Sequence, residues 1–216
     1  MADEIPNAVW ANQFDNVHNR KAHYDTTAPE IIAALPEVDA FSCAVGTGGT
    51  LAGCSMFFNE FYPHVKVGLT DPKGANLHRY YKDGELKAEG NSITEGIGQG
   101  RITANLEGFA PDYNLEIDDE TAMEACFELM TKEGLSLGLS SGINVAGAEA
   151  LARQLGPGRR PLPAAEPSVK SVREAHIGLA SMDPHSGAAH VCRFVRTTAH
   201  REEPCHHSVR LGVPLY

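Results

Sequence analysis

Basic residues are scarce in this chain of 216 residues: 18 Lys and Arg stand against 28 Asp and Glu, for a formal charge of −10. Nucleic-acid binding draws its affinity from a basic face set against phosphates, so this balance argues against such a partner. Long apolar runs are missing as well. No segment approaches the roughly 18 apolar residues of a membrane span, and the start, MADEIPNAVW, has neither the basic nor the long apolar stretch of a signal peptide. A cytoplasmic protein with no membrane partner is expected. The cysteines, Cys43, Cys54, Cys126, Cys192 and Cys205, are odd in number and show no CxxC spacing. That excludes a disulfide framework and a zinc ribbon and leaves reduced thiols. What remains is ordinary: 42% hydrophobic residues can build the core of one large domain, or of one domain with an appendage.

The most informative stretch is VDAFSCAVGTGGTLAG, residues 38–53. Val38, Ala40, Phe41, Cys43, Ala44 and Val45 have the length and composition of a strand buried on both faces. The run stops at Gly46, Thr47, Gly48, Gly49 and Thr50, after which Leu51, Ala52, Met56 and Phe57 recur at helical spacing. A glycine turn between a strand and a helix suits an anion, because the first helical N–H groups have no internal acceptor and the dipole adds positive charge. The frame Gly48 to Gly53 continues with Cys54 and Ser55, so the lysine of a nucleotide P-loop is absent and ATP and GTP fit poorly. Leu51 occupies a position where a dinucleotide fingerprint wants glycine, although Asp71 stands near its acidic position. A monophosphate, carried by a substrate or by pyridoxal phosphate, fits the loop best; a turn needed only for tight packing is the competing reading.

Other segments supply the frame. Thr27 reads as the N-cap of a short helix with Pro29 in its first turn, Glu30 three residues after the cap, and Ile31, Ile32 and Leu35 as its buried stripe. Val65, Val67 and Leu69 alternate as a strand that should lie parallel to the first, ending at Asp71-Pro72. Residues 73–92 read as a charged loop with a tight turn at Asp83-Gly84, and Thr94 to Gly100 as a second glycine-rich bend. Asp118 caps a helix whose apolar face would be Met123, Cys126, Phe127 and Met130, packed into the core. Leu135, Leu137 and Leu139 read as a short strand, Ser140-Ser141-Gly142 as a turn, and Val145 to Leu155 as a helix of small residues.

The character changes near Gly158. Residues 159–216 carry eight Lys and Arg against five acids and six of the ten histidines, with recurrent proline and no sustained periodicity. Cys205-His206-His207 lacks a second liganding pair, so metal binding there is disfavoured. The division expected is a domain over 1–158 and an unmatched basic tail over 159–216, disordered or the product of a frameshift.

Taken jointly, HYDTTAPEI (23–31), VGTGGTLAG (45–53), DPKGA (71–75), ITEGIGQGRI (93–102) and EGLSLGLSSGINVAGA (133–148) resemble, in order, the cysteine synthase and cystathionine β-synthase family of pyridoxal-phosphate enzymes. The resemblance implies an incomplete α/β domain, a parallel sheet in three layers of the tryptophan synthase β-like type. It implies that Gly46, Thr47, Gly48, Gly49 and Thr50 hold the cofactor phosphate and that Ser140 meets the pyridine nitrogen. Gly96 and Gly98 would line the cofactor's active side, and Gln13 would match a substrate-contacting glutamine. The family makes cysteine from O-acetylserine and sulfide, and its partners are an amino-acid substrate and a second subunit. The segment carrying the cofactor-binding lysine has no counterpart here, and Lys21, Lys66, Lys73, Lys82, Lys87 and Lys132 lie outside any such motif. The resemblance therefore implies a fragment that is inactive alone or that pairs with a full-length relative. No residue is assigned a catalytic role.

Overall fold

The computed structural model describes residues 4–87 and 89–156, together with the backbone of 177–182 and 189–192. Its centre is a sheet in which β1 (Ala40–Ala44) pairs in parallel with β2 (Lys66–Pro72). Beyond β2 lies β3 (Tyr113–Ile117), also parallel; on the other side β4 (Ile177–Met182) is parallel to β1 and β5 (Ala189–Cys192) runs antiparallel at the edge. The spatial order is β3-β2-β1-β4-β5. The parallel pairing of the first two strands is as the apolar run and the Val65-Val67-Leu69 alternation predict. β4 and β5 fall within residues 159–216; most of that range, with Cys205-His206-His207, lies outside the described residues.

Successive residues of a strand face opposite sides, and each side of this sheet meets a different layer. Phe41, Cys43, Val45, Val67 and Leu69 share one core with Ile31, Leu51, Phe58, Leu77 and Leu106. These come from α2 (Ala28–Ala34), α3 (Gly49–Phe61), α4 (Asn76–Asp83) and the 3-10 turn Ala104–Leu106. On the opposite side, Ala40, Leu115 and Ile117 meet Ile143, Ala146 and Leu151 of α6 (Leu139–Leu155). That approach is close: a Cβ on Gly147 would collide with Thr70. Small residues on both surfaces let the helix lie directly on the strands, and α5 (Asp119–Glu133) packs behind it. The result is the three-layer α/β arrangement.

Four expectations need correction. Thr27 is no N-cap: its φ of −61° and ψ of −47° are helical, and the chain is already coiled from α1 (His18–Ala22) through a π-helical turn, His23–Thr27. α1 has no buried residue and the π-helical turn only Thr27, so no apolar stripe announces them. Residues 73–92 contain α4, and the turn at Asp83-Gly84 is the end of that helix, closed by Gly84 with a φ of +80°. Leu135 and Leu137 form no strand; the segment is extended and partly exposed, and Leu139 and Ser140 to Gly142 already belong to α6. Most of the expected α5 face is exposed as well. Asp118 does cap the helix, accepting from the Thr121 amide at 2.8 Å, but Ala122 and Leu129 are its buried residues. Met123, Phe127 and Met130 are 41%, 62% and 45% exposed, whereas Cys126 does turn inward, lying with Ala122 against Gly142 of α6.

Candidate functional site

The glycine loop sits where β1 delivers the chain into α3, at the carboxyl edge of the parallel strands. That edge is where open α/β sheets bind ligands. Gly48 is the N-cap of α3 with a φ of +85°, a conformation that side chains rarely adopt and glycine adopts freely. The cap makes no side-chain hydrogen bond, and no acidic residue stands in the first turn.

The loop carbonyls are all engaged. Val45 O accepts from Gly98 N at 2.9 Å, Gly46 O from Gln99 Nε2 at 2.8 Å, Thr47 O from Thr103 Oγ1 at 2.7 Å, and Gly48 O from Ala52 N at 3.0 Å. An anion at this helix end would therefore meet N–H groups and hydroxyls with the opposing carbonyl dipoles tied back. The uncapped start, the missing acid and the bound carbonyls together fit a phosphate.

The second glycine bend lies against the first. Gly96 and Gly98 have φ of +77° and +82°, and a Cβ on Gly46 would run into the Gly96 carbonyl. The bend is anchored at its start by Asp119, which accepts from Ser92 Oγ at 2.5 Å and Ile93 N at 2.9 Å. Ser140 is brought to the same end of β1 by Asn144. That side chain accepts from Ala44 N at 2.8 Å and donates to Ser140 O at 2.8 Å, bridging the strand to the first turn of α6.

Gln13 meets the loop through its backbone: its carbonyl accepts from Asn19 Nδ2 at 2.8 Å and Asn105 Nδ2 at 3.0 Å, while its side chain is exposed. Asn19, in the amide-rich start of the chain, is the side chain that carries this wiring on to Thr47 Oγ1, at 3.0 Å. Buried Asn105 also donates to Phe14 O at 2.8 Å, and Asp15 takes a forked bond from Arg101 at 2.9 and 2.8 Å. Arg101 and the Ala104 amide hold the Asp15 carboxyl below the usual range. Asn19, Gln99, Thr103, Asn105 and Asn144 are the site-building residues that motif reading passes over; the density of Asn and Gln before residue 20 was the available signal.

Several candidates fall away. Asp71 is fully buried at the end of β2 and accepts from His78 N at 2.8 Å, so it braces the start of α4 and is not available to a ribose. Burial pushes its carboxyl up to about 7. Cys43 and Cys54 are buried free thiols, and desolvation pushes Cys43 up to about 12 and Cys54 higher still, which keeps both protonated and inert. Among the described residues no cluster of His, Cys, Asp and Glu could hold a metal, and no helix is long and apolar enough to cross a membrane. Lys21, Lys66 and Lys132 pair with Asp25, Asp112 and Glu128, and Lys73, Lys82 and Lys87 are exposed.

A family profile described as "Pyridoxal-phosphate dependent enzyme" matches residues 1–162. "Cysteine synthase 1" of Neurospora crassa is 48% identical over 163 residues, covering 73% of this chain and 43% of that protein. "Cysteine synthase 1" of Emericella nidulans is likewise 48% identical over 163 residues, covering 73% of this chain and 44% of that protein. Among solved structures, the O-acetylserine dependent cystathionine beta-synthase from Helicobacter pylori superposes with a TM-score of 0.63 at 32% identity, covering 71% of this chain and 48% of that one. The chain spans less than half the length of the curated relatives it matches.

Proposed function

The chain belongs to the family of pyridoxal-phosphate dependent enzymes, carrying part of the tryptophan synthase β-like fold, and from that premise we propose that it supplies the phosphate-holding half of a cysteine synthase site. The cofactor of this family is pyridoxal 5′-phosphate. The observation that carries the assignment is the glycine loop, with its four carbonyls bound away and its helix start uncapped. Gly46, Thr47, Gly48, Gly49 and Thr50 hold the phosphate. Ser140 meets the ring nitrogen with a neutral hydroxyl, which leaves that nitrogen unprotonated. Gly96 and Gly98 flank the reacting side, and Gln13 lies toward the substrate. When bound, the cofactor supplies an electron sink that suits β-elimination and replacement.

The reaction proposed for the intact enzyme is formation of L-cysteine from O-acetylserine and sulfide in the cytoplasm. The likeness to the Helicobacter pylori protein favours a second reading, in which a thiol amino acid replaces sulfide. The chain as given offers no buried lysine at the loop among its described residues, so it is proposed to bind the cofactor reversibly and not to turn over alone. A second copy, or a full-length relative, is the partner that would complete the site. Absorbance spectra with pyridoxal 5′-phosphate, taken before and after borohydride reduction and dialysis, test this. Binding that dialyses away is expected. Cofactor retained covalently, or substantial cysteine made from O-acetylserine and sulfide, would overturn the inactive-alone reading; no binding at all would overturn the cradle.

A further inference from the structure

We propose that Gln99 and Thr103 are positioning residues of the phosphate cradle, which by holding Gly46 O and Thr47 O aim the Thr47 and Gly48 N–H groups at the anion. The inference deepens the phosphate site proposed above and rests on it. A loop with glycine at three of its five positions does not orient itself, because a peptide unit flanked by glycine can turn over at little steric cost. An anion cradle needs the opposite, N–H groups that already converge before the ligand arrives. Groups outside the loop have to fix its peptide planes.

None of the described peptide bonds is cis, so each carbonyl points opposite to the N–H of the residue that follows. Gly46 O, turned to Gln99 Nε2 at 2.8 Å, therefore sends the Thr47 N–H away from the second glycine bend. Thr47 O, held by Thr103 Oγ1 at 2.7 Å, does the same for the Gly48 N–H. Neither N–H donates to another described residue. Gly48 is buried, and a buried N–H with no acceptor in the chain is rare unless a ligand or a water meets it. The peptides on either side are fixed without these two side chains. Val45 O is held by the Gly98 amide, while Gly49 N–H goes to Thr47 Oγ1 at 3.3 Å and Gly48 O accepts from Ala52 N.

Both donors are fixed in turn. A carbonyl can only accept, so Gln99 presents its nitrogen to Gly46 O; its Oε1 accepts from Gly100 N at 3.0 Å, and the amide cannot be flipped. The Gln99 carbonyl accepts from Asn76 N at 3.3 Å and the Gly100 carbonyl from Asn76 Nδ2 at 3.1 Å, which clamps this end of the bend to the start of α4. Thr103 is 1% exposed, and the next residue, Ala104, donates its N–H to Asp15 Oδ1 at 3.1 Å. The segment from 98 to 104 is thus held from behind by α4 and Asp15 while it holds the cradle in front.

Amide spectra of the nitrogen-15 labelled chain test the division of labour. Pyridoxal 5′-phosphate is expected to move the Thr47 and Gly48 N–H proton signals of the wild type downfield, and unphosphorylated pyridoxal to leave them in place. Gln99→Met, which keeps the length and removes the donor, should reduce the shift at Thr47 more than at Gly48, and Thr103→Val should do the reverse. In each variant the ratio of affinities for pyridoxal 5′-phosphate and pyridoxal should fall by about tenfold, the scale of one hydrogen bond to a charged group. Thr103→Ser, which keeps the hydroxyl, should retain the wild-type ratio; a loss as large as that of Thr103→Val would overturn the role of Thr103. Phosphate-dependent binding with ratios untouched by Gln99→Met and Thr103→Val, or with equal effects of both on the two amides, would overturn this inference alone. A wild-type chain that binds the two ligands alike would overturn the underlying site with it. Should Thr103→Val fail to fold, Gln99→Met at a half-buried position and the wild-type shifts still decide, and Thr47 and Gly48 signals that ignore bound pyridoxal 5′-phosphate would overturn the inference.

Discussion

Around the glycine loop, side chains from two distant stretches converge: Asn19 and His23 from α1 and the π-helical turn that follows it, Gln99 from the second glycine bend and Thr103 from just beyond it. At the other side of the sheet, the outer face of α5 turns Met123, Phe127 and Met130 to the surface beside Leu135 and Leu137. The first region is closed by polar wiring within the chain. The second has an apolar face with no such closure among the described residues. The same sequence therefore holds one surface whose geometry is over-determined and one whose packing is not, and substitutions should divide along that line.

The largest effect is expected in the core beneath the loop. Phe58 is fully buried and sets its ring, tilted by 58°, 5.6 Å from that of Phe41 of β1, so it ties α3 to the strand that positions the loop. Phe58→Ala should lower the unfolding free energy by about 3–5 kcal/mol, read as a fall in the urea midpoint. A loss under about 1 kcal/mol would mean that the wiring, not the core, holds α3 in place.

Asp71 sharpens the contrast, because it is buried without the wiring that the loop enjoys. Its Oδ1 has no partner among the described residues, and neither do His78 Nδ1 and Asn114 Oδ1 nearby in the fold. Burial raises the carboxyl from 3.8 to about 7, so the folded chain keeps a proton that the unfolded chain releases. Stability should then fall as pH rises from about 4 to about 7 and level off above, by roughly 4 kcal/mol at most at about 1.4 kcal/mol per pH unit. Asp71→Asn should flatten that slope in chemical denaturation at several pH values. A slope unchanged by the substitution would place the titration elsewhere.

What sequence reading recovers follows the physics of each element. β1 and β2 are legible because strands buried on both faces must be apolar, and α5 has a legible start because Asp118 is a capping residue in a capping position. Gly46 to Thr50 are legible because a glycine cluster between an apolar strand and a helix is a rare composition with a physical reading of its own. α1 and the π-helical turn are not, since polar side chains that satisfy one another leave no apolar period to read. The exposed face of α5 has a similar root. Its contacts on Gly142 are Ala122 and Cys126, and small residues carry little hydrophobic signal beside methionine and phenylalanine. Ser140 stands out in the sequence only through its motif; the Asn144 bridge that holds it at the end of β1 needs the fold.

The smallest effect on stability is expected at Phe127, and it tests the comparison most directly. The side chain is 62% exposed, so replacing it removes little buried area, and serine is close to phenylalanine in helix propensity. Phe127→Ser should change the unfolding free energy by no more than about 0.5 kcal/mol. Its effect should appear instead in association: Met123, Phe127 and Met130 form a contiguous apolar stripe, and taking the most exposed ring from it should raise the protein concentration at which light scattering sets in. A stability loss of about 2 kcal/mol or more, with unchanged scattering, would mean that something covers this face in solution, and the contrast between a closed loop and an open α5 surface would no longer hold.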